Sequence, residues 1–355
     1  MAEMGGRGSP GVRHSMRTHL ELVRIVDWEA QRFPPTERRP PIRTMANTSS
    51  YTKDELPAMT PTEQFEALRP QLFALSYRAL GSRSDAEDIV QEAYLRWQRS
   101  DHAAIESPKA YLMKVVSRLA LDVLKSARTR REQYVGVWLP EPLFGLNAPV
   151  TGRGSRATPE EEAMQAESLS LAFLFVLETL SAPQRIAFLL HDVFGYGYDE
   201  VASALDASEV ACRQHVSRAR KVIQERRPFA DGRPRMDAAR HREVLEQFFA
   251  ACLSNDTTGL LNLLREDAVF YSDGGGKAAA ALNPLEGPDR IARFFLGIAK
   301  QAPPDTTLEI DVVNGVPALR TLVGGTLVSL FTFDLDAEGK IGWILAHRNP
   351  DKLGA

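Results

Sequence analysis

"SDAEDIVQEAYLRW", residues 84–97, is the stretch that decides how this chain is organised. Its apolar residues recur at helical spacing and predict one buried face, made of Ala86, Ile89, Val90, Ala93 and Trp97. Ser84, with Glu87 three residues later, predicts a capping box at the start of the helix. Asp85, Asp88 and Glu92 fall on the other side and predict an exposed acidic ridge. On the pattern alone, this ridge is either a solvated face or a docking surface.

A second helix is predicted for "SPKAYLMKVVSRLALDVLKSARTRR", residues 107–131, which begins with Ser107 as the N-cap and Pro108 in the first turn. Its expected buried face consists of Leu112, Val115, Val116, Leu119 and Val123. Four basic residues lie along a second face of this helix, apart from the buried one: Lys114, Arg118, Lys125 and Arg128. A continuous basic stripe of this length suits contact with a phosphate backbone, and a solvated helix face is the alternative.

The stretch "YDEVASALDASEVACRQHVSRARK", residues 198–221, predicts a helix-turn-helix. A short helix ends at the Asp206–Ala207 turn, and Ser208 caps a second helix. Cys212, Val216, Ala219 and Ile223 should form the buried face of that second helix. Its outward side chains are Glu209, Arg213, Gln214, Ser217, Arg218, Arg220 and Lys221. Polar residues near the N-terminus and bases further along suit the major groove, although an ordinary helical hairpin remains an alternative.

The first two stretches resemble region 2 of the sigma-70 family, in its extracytoplasmic-function (ECF) branch, and the third resembles region 4. The resemblance implies binding to core RNA polymerase, through its β′ clamp and β flap, and to promoter DNA. Polymerase docking would fall to Asp85, Asp88, Gln91 and Glu92. Contact with the −10 element would fall to Lys114, Arg118, Lys125 and Arg128, in a family that extrudes a base on melting.

Contact with the −35 element would fall to the outward side chains of the second helix of the helix-turn-helix. Glu209, Arg213 and Gln214 are the candidates for contacts with base edges. Arg218, Arg220 and Lys221 are expected to contact phosphates.

Beyond residue 237 the periodicity changes to that of an α+β domain. A helix over about 237–254 is followed by strand-like runs: "DAVFYSD", "TTLEIDVVN", "TLVSLFTFDLD" and "IGWILAHR". This part resembles the SnoaL-like branch of the NTF2-like fold, a curved sheet wrapped by helices. ECF sigma factors with such an extension carry motifs like 138–142 (WLPEP), 273–277 (DGGGK) and 349–353 (NPDKL), all intact here. The resemblance implies an interdomain regulatory role for Trp138, Pro140, Glu141, Asp273, Gly274, Gly275, Gly276, Lys277, Asn349, Pro350 and Asp351.

The triple glycine before Lys277 also raises the possibility of a phosphate-binding loop. A Walker motif would need a glycine at position 271, which is tyrosine, and a hydroxyl at position 278, which is alanine. We therefore expect the loop to pack against the linker around Trp138–Pro142. The rival reading is a ligand-binding or cyclase/isomerase-type SnoaL-like enzyme fused to a DNA-binding module. Its pocket would be lined by Tyr271, Asp273, Trp343 and His347, and a pocket that binds a ligand without chemistry is a third possibility.

The predicted fold class is multidomain, with two all-α sigma domains followed by an α+β NTF2-like cone. The predicted boundaries are a disordered lead over 1–60, region 2 over 61–135, a linker over 136–160, region 4 over 161–228 and the SnoaL-like domain over 237–353. Translation could start at Met1, Met45 or Met59.

The composition narrows the function classes. The net charge is −3, and the two cysteines, Cys212 and Cys252, form neither a disulfide framework nor a metal-binding spacing. No signal peptide or membrane-length apolar run is visible. We expect a cytoplasmic protein that is a monomer when free, with no enzymatic activity, cofactor, metal or membrane partner. Because the fused domain can regulate in its place, no dedicated anti-sigma factor is expected.

Overall fold

The computed structural model of the chain describes residues 59–144, 168–227 and 237–354, without the side chains of residues 127–130 and 132. All but the last two residues of the predicted lead, and the linker from residue 145 onward, lie outside the described residues. Within the described ranges, no helix is long and apolar enough to cross a membrane. The same ranges contain no group of three or more His, Cys, Asp or Glu side chains placed to hold a metal ion.

The N-terminal helical block consists of three helices: α1 (Pro61–Leu80), α2 (Arg83–Gln98) and α3 (Pro108–Glu132), with a short 3₁₀ turn at His102–Ala104. Gly81 ends α1 with φ of +65°, a left-handed conformation that glycine adopts at low cost. The predicted core face of α2 is confirmed, because Ala86, Ile89, Val90, Ala93 and Trp97 are all buried. On α3 the buried face is Leu112, Met113, Val116, Ala120 and Leu124, a slight rotation from the predicted one.

The predicted capping box at Ser84 is wrong. The N-cap of α2 is Ser82, whose backbone is extended and whose hydroxyl accepts the amide of Asp85 at 3.3 Å. Ser84 therefore lies inside the first turn, and Glu87 pairs with Arg83 at 2.9 Å instead of reaching back to a cap. The turn between α1 and α2 is so short that the cap falls immediately after Gly81.

The second helical block consists of α4 (Leu171–Leu177), α5 (Ala182–Phe188), α6 (Tyr198–Leu205) and α7 (Glu209–Arg226), with one π-helical turn at Leu189–Val193 after α5. Asp206, in a left-handed conformation with φ of +55°, turns the chain between α6 and α7. The Ser208 hydroxyl caps α7 by accepting the amide of Ala211 at 3.2 Å. Cys212, Val216 and Ala219 are buried, as predicted for a helix-turn-helix, whereas Ile223 is half-buried because it lies near the end of the helix.

The C-terminal domain is α+β, as predicted. Its elements are α8 (Ala238–Ser254), α9 (Thr257–Leu263), β1 (Leu264–Asp273), β2 (Leu285–Glu286), α10 (Pro288–Lys300), β3 (Thr306–Val313), β4 (Val316–Val323), β5 (Thr326–Leu335), β6 (Ile341–His347) and α11 (Pro350–Leu353). The strands form one sheet in the order β2-β1-β6-β5-β4-β3. Strands β1 and β6 are parallel, and the other neighbours are antiparallel.

The sheet is covered on both faces, and strand β6 shows how. Ile344 and Ala346 point into the core that the sheet shares with α8 and α10. Trp343 and Leu345 point the opposite way and pack with Leu139, ahead of the second helical block, and with α4. Because side chains alternate along a strand, each face of β6 belongs to a different core. The second face therefore joins the C-terminal domain to the second helical block and to the chain ahead of it.

Candidate functional site

A buried carboxylate lies at the centre of the interface between the domains. Asp273, the last residue of β1, is fully buried. Its Oδ1 accepts the Tyr134 hydroxyl at 2.6 Å, and its Oδ2 accepts the backbone amide of Leu139 at 2.9 Å. The same Oδ2 accepts Lys352 Nζ at 2.7 Å. One side chain thus connects the sheet, the helix α11 and residues 133–144, which we call the linker segment.

Lys352 completes this cluster from α11. Its Nζ also donates to the carbonyl of Leu139 at 2.5 Å and lies 4.1 Å from the centre of the Trp138 ring. The guanidinium of Arg131 contacts the same ring at 3.9 Å. Burial lowers the pKa of Lys352 to about 8, although the neighbouring Asp273 acts in the opposite direction. The aromatic ring of the 138–142 motif is thus held by two cations, one from α3 and one from α11.

His347 fixes the next residue of the linker segment. Its Nε2 donates to the carbonyl of Pro140 at 2.8 Å, and its side chain is fully buried. Burial lowers the pKa of His347 to about 4, so the ring is neutral near pH 7.

The linker segment is bonded equally closely to the N-terminal helical block. The amide of Glu141 donates to the carbonyl of Gly81 at 2.7 Å, and the carbonyl of Glu141 accepts the Tyr77 hydroxyl at 2.6 Å. The Glu141 carboxylate accepts the amide of Arg83, the first residue of α2, at 2.6 Å. Glu141 of the 138–142 motif therefore ties the linker segment to the α1–α2 turn.

Asn314 is a functional candidate that sequence analysis missed. It is fully buried in the turn between β3 and β4, with φ of +52°. Its Oδ1 accepts the amide of Leu143 at 2.7 Å. Its Nδ2 donates to the Tyr77 hydroxyl and to the carbonyl of Leu169, both at 2.8 Å. In sequence it looks like an ordinary Asn-Gly hairpin turn, which hides these three long-range bonds.

The triple glycine lies against the linker segment and the C-terminal motif. A Cβ at Gly275, which has φ of +58°, would stand 2.4 Å from Asn349 Nδ2 and 2.9 Å from the Tyr134 hydroxyl. Those two groups are themselves hydrogen-bonded at 2.8 Å. A Cβ at Gly276 would stand 3.3 Å from Val135. The loop thus contacts residues just ahead of Trp138.

The other members of the predicted regulatory set are placed as follows. A Cβ at Gly274 would stand 2.3 Å from the carbonyl of Ala278, so this position closes the loop on itself. Lys277 pairs with Asp351 at 2.5 Å, across an exposed surface. Pro350 begins α11, and Pro140 is buried in the linker segment.

The C-terminal domain also holds the second helical block. Arg227, directly after α7, makes two hydrogen bonds of 2.7 Å to the carboxylate of Asp334 in β5, and both residues are buried. Phe175 of α4 packs on Tyr271 and Trp343, with ring centres 4.9 and 6.0 Å apart. The four residues proposed for an enzyme pocket, Tyr271, Asp273, Trp343 and His347, are thus occupied with contacts to the linker segment and α4.

The predicted polymerase-docking residues lie along α2. Asp88 and Gln91 are exposed, and Asp85 and Glu92 are half-buried. Glu92 pairs with Arg96 one turn further on, at 2.8 Å. The ridge faces away from the buried side of α2.

The predicted −10-binding stripe on α3 meets the second helical block. Lys114 Nζ donates to the Ser203 hydroxyl of α6 at 3.2 Å, and the Arg118 guanidinium lies 3.8 Å from the carboxylate of Asp206. Lys125 is exposed and pairs with Asp122 on its own helix at 3.3 Å. The side chain of Arg128 lies outside the described residues. Two members of the stripe therefore contact the helix-turn-helix.

The outward side of α7 carries the predicted −35 contacts. Arg213 pairs with Glu209 at 2.9 Å and lies 4.3 Å from the ring of Tyr198. Arg220 makes two hydrogen bonds, of 2.8 and 2.6 Å, to Asp192 of the π-helical turn. The remaining predicted contacts are exposed: Gln214, Ser217, Arg218 and Lys221. Arg220 is thus bound to the π-helical turn, and Arg213 and Lys221 pair with acids of their own helix, whereas Gln214, Ser217 and Arg218 are exposed.

Comparison with known proteins agrees with this geometry. The family model "Sigma-70 region 2" matches residues 64–130, and "Sigma-70, region 4" matches residues 170–223. The ECF RNA polymerase sigma factor SigJ of Mycobacterium tuberculosis is 42% identical over 82% of this chain and 92% of its own. The probable ECF RNA polymerase sigma factor SigI of the same species is 33% identical over 81% of this chain and 93% of its own. The crystal structure of M. tuberculosis SigJ aligns with a TM-score of 0.64 at 37% identity, covering 82% of this chain and 98% of that one.

These matches define the class of protein. The chain belongs to the ECF branch of the sigma-70 family of RNA polymerase sigma factors. Within that branch it is similar to SigJ, both in sequence and in carrying an α+β domain after region 4. It is a transcription initiation factor, and its partners are core RNA polymerase and promoter DNA.

Proposed function

We propose that the C-terminal domain of this sigma factor controls, in cis, how regions 2 and 4 are arranged when core RNA polymerase is directed to −10 and −35 elements. The observation that carries this proposal is the environment of Asp273. Its buried carboxylate binds Tyr134, Leu139 and Lys352 together, so the sheet fixes the linker segment that follows region 2. The pair formed by Arg227 and Asp334 fixes region 4 to the same sheet.

In this structure region 4 covers part of the predicted −10-binding stripe, and we call this arrangement closed. Lys114 and Arg118 contact α6 and the turn after it, and single-stranded promoter DNA would need the same side chains. Region 4 and −10 DNA therefore compete for this stripe. Each of these exposed contacts contributes at most about 1 kcal/mol. The two helical blocks also share one hydrophobic cluster, which includes Met113 of α3 and Leu190 of the π-helical turn, so displacing region 4 also requires opening a packed core.

The residue roles proposed for DNA and polymerase follow the surfaces of the helices. Asp85, Asp88, Gln91 and Glu92 would dock on the polymerase clamp. Lys114, Arg118, Lys125 and Arg128 would hold the −10 strand. Glu209, Arg213 and Gln214 would read −35 bases, while Ser217, Arg218 and Lys221 would contact the backbone. Arg220 is a positioning residue because its guanidinium is bound to Asp192.

The C-terminal domain is proposed to be regulatory and not enzymatic. The side chains that an enzyme would use on this face, Asp273 and His347, are fully buried and bonded to the linker segment. These two side chains could reach a substrate only if the C-terminal domain separated from the linker segment. We further propose a cytoplasmic protein, a monomer when free, that works without a cofactor or a dedicated anti-sigma factor.

Multi-round transcription in vitro with core RNA polymerase and a cognate promoter tests the proposal. A chain truncated before Asn349 loses the contacts of Lys352 and Asn349, so restraint should fall and transcription should rise. A chain truncated before Arg235 loses all support of the linker segment, so transcription should fall. If both truncated chains gave the wild-type level of transcription, the C-terminal domain would have no effect on activity, which would contradict the proposal.

A further inference from the structure

Val210, at the second position of α7, is the most exposed large hydrophobic side chain in the described part of the chain, at 65%. It belongs to none of the three hydrophobic clusters that the described residues form. Single exposed apolar residues are common on protein surfaces, so exposure alone assigns no role. Its position on the helix is the informative feature.

Val210 lies directly opposite the buried face of α7. At about 100° per residue, it stands roughly 180° from Ala219 and about 200° from Cys212, both of which are buried. The same rule places Gln214, Ser217 and Lys221 within roughly 40° of it. These three side chains are exposed and are proposed contacts to DNA. Val210 is therefore the first member of the outward stripe of the recognition helix.

The N-terminal end of a recognition helix enters deepest into the major groove and contacts base edges. The only apolar group that base pairs present there is the C5-methyl group of thymine. Valine supplies two methyl groups on a branched carbon with few side-chain rotamers, so it meets such a group at a small entropic cost. It offers no hydrogen bond to any other base edge.

We propose that Val210 reads the C5-methyl group of a thymine in the −35 element and is thereby a specificity-determining residue. This inference rests on the proposed function, since it requires α7 to lie in the major groove of the −35 element. It adds an apolar contact to the polar readers Arg213 and Gln214. It also predicts a base preference that hydrogen-bonding side chains do not supply.

Promoter selection tests the inference. Holoenzyme assembled from core RNA polymerase and full-length wild-type or Val210→Ala protein would select from a library with a randomised −35 element. The wild type should select thymine at one position of either strand, and Val210→Ala should lose that preference while keeping the others. The matched control is Leu253→Ala, because Leu253 is an exposed apolar residue of α8, in the C-terminal domain. It should select the same sequences as the wild type.

A second measurement isolates the methyl group. Replacing the selected thymine by deoxyuridine removes only that methyl, and it should weaken wild-type binding about fourfold, the effect of one buried methyl group. The same replacement should leave binding by Val210→Ala unchanged. If the wild type selects a −35 sequence but deoxyuridine has no effect, the role of Val210 is refuted and the proposed function stands. If the wild type selects no −35 sequence, the proposed function and this inference both fail.

Discussion

The carboxylate of Asp273 accepts the backbone amide of Leu139 at 2.9 Å, so the end of a β-strand in the C-terminal domain is bonded to the chain that follows region 2. The contact is fully buried and is shared with the ammonium group of Lys352. A buried ion pair of this kind contributes little net free energy when intact, but loss of one partner leaves the other charge without compensation. Asp273 is therefore a sensitive point for testing how firmly the domains are joined.

Asp273→Asn should lower the free energy of unfolding by about 3 kcal/mol, because Lys352 would stay buried without a counter-charge. Urea denaturation followed by tryptophan fluorescence measures this change, and Trp138 and Trp343 both lie at the interface. The matched control is Asp305→Asn, at an exposed aspartate of the same domain. A change in Asp273→Asn as small as in this control would show that the interface does not depend on the carboxylate.

The free energy of unfolding should fall as the pH is lowered from about 6.5 toward 4, because His347 takes up a proton more readily in the unfolded chain. The pKa of this side chain is lowered to about 4 in the folded protein from an ordinary 6.5, because burial disfavours the charged ring. Between those values the unfolded chain binds a proton that the folded chain does not. At pH 5 the resulting loss is about 2 kcal/mol relative to neutral pH. Denaturation curves at pH 7.5 and 5.0 measure it.

His347→Gln serves as the comparison for the pH measurement. The glutamine amide can still donate to the carbonyl of Pro140 but does not titrate. This variant should lose about 2 kcal/mol less than the wild type between the two pH values. An equal loss in both proteins would assign the acid sensitivity to other groups.

Charge reversal at Asp88 and Glu92 to Lys should abolish association with core RNA polymerase and leave the fold intact. Asp88 is exposed, and Glu92 forms only a surface pair with Arg96, which contributes at most about 1 kcal/mol. Pull-down with core polymerase and circular dichroism measure the two effects. The same double reversal at Asp289 and Asp305, both exposed in the C-terminal domain, should bind normally. Full binding by the α2 variant would refute the docking assignment.

Arg213→Ala and Lys221→Ala should have different effects on binding to the −35 element. Arg213 is held by Glu209 and by the ring of Tyr198, so it is preorganised to meet a base edge, and its loss should relax discrimination by about 1–3 kcal/mol at one position. Lys221→Ala should weaken binding to all −35 sequences and reduce the salt dependence. Competition binding across a set of −35 variants at two salt concentrations separates the outcomes. Uniform weakening by both variants would mean that α7 is docked incorrectly.

Ser203→Lys should shift the equilibrium away from the closed arrangement without abolishing it, because the two helical blocks also share one hydrophobic cluster. The substitution removes the hydroxyl that accepts Lys114 Nζ at 3.2 Å and places a second ammonium group on the neighbouring helix, where the two like charges repel. Energy transfer between dyes on Gln98→Cys and Gln224→Cys should decrease in the free protein, since these labels lie on region 2 and region 4. The native Cys212 and Cys252 are buried and should label poorly.

Gln301→Lys is the control for the labelling experiment, because it adds the same charge at an exposed site of the C-terminal domain. It should transfer energy as the wild type does. Unlabelled Ser203→Lys should also bind single-stranded −10 DNA more tightly than this control. Identical energy transfer in both variants would argue against a closed state held at Lys114.

The elements with strong periodicity could be predicted from the sequence. The core face of α2, the helix-turn-helix and four of the strands follow from spacing alone. The sequence does not predict strand β4, because Pro317 and Arg320 interrupt its apolar pattern. The pairing with β3 and β5 overrides that local signal. The cap of α2 was displaced by two residues because Ser82 and Ser84 are equally good caps, and only the length of the preceding turn decides between them.

The contacts at the interface between the domains are harder to predict from the sequence. The three motifs predict a contact between the 273–277 loop and the linker, but not which atoms bond there. Tyr134 and Asn314 have ordinary local surroundings in the sequence, and their roles depend on residues more than 130 positions away. Such bonds follow from tertiary structure and leave no periodic signal.

The linker segment has the composition of a loop, yet its backbone is bonded residue by residue. The amides of Leu139, Glu141 and Leu143 are taken by Asp273, Gly81 and Asn314 in turn, so every second peptide has a fixed partner. Loops usually accept insertions because few of their backbone groups have fixed hydrogen-bond partners. Here one added residue between positions 139 and 143 would put the wrong peptide before at least one of these partners. The length of this stretch is therefore as constrained as that of a central β-strand, and natural or engineered variation should be confined to the chain beyond Phe144.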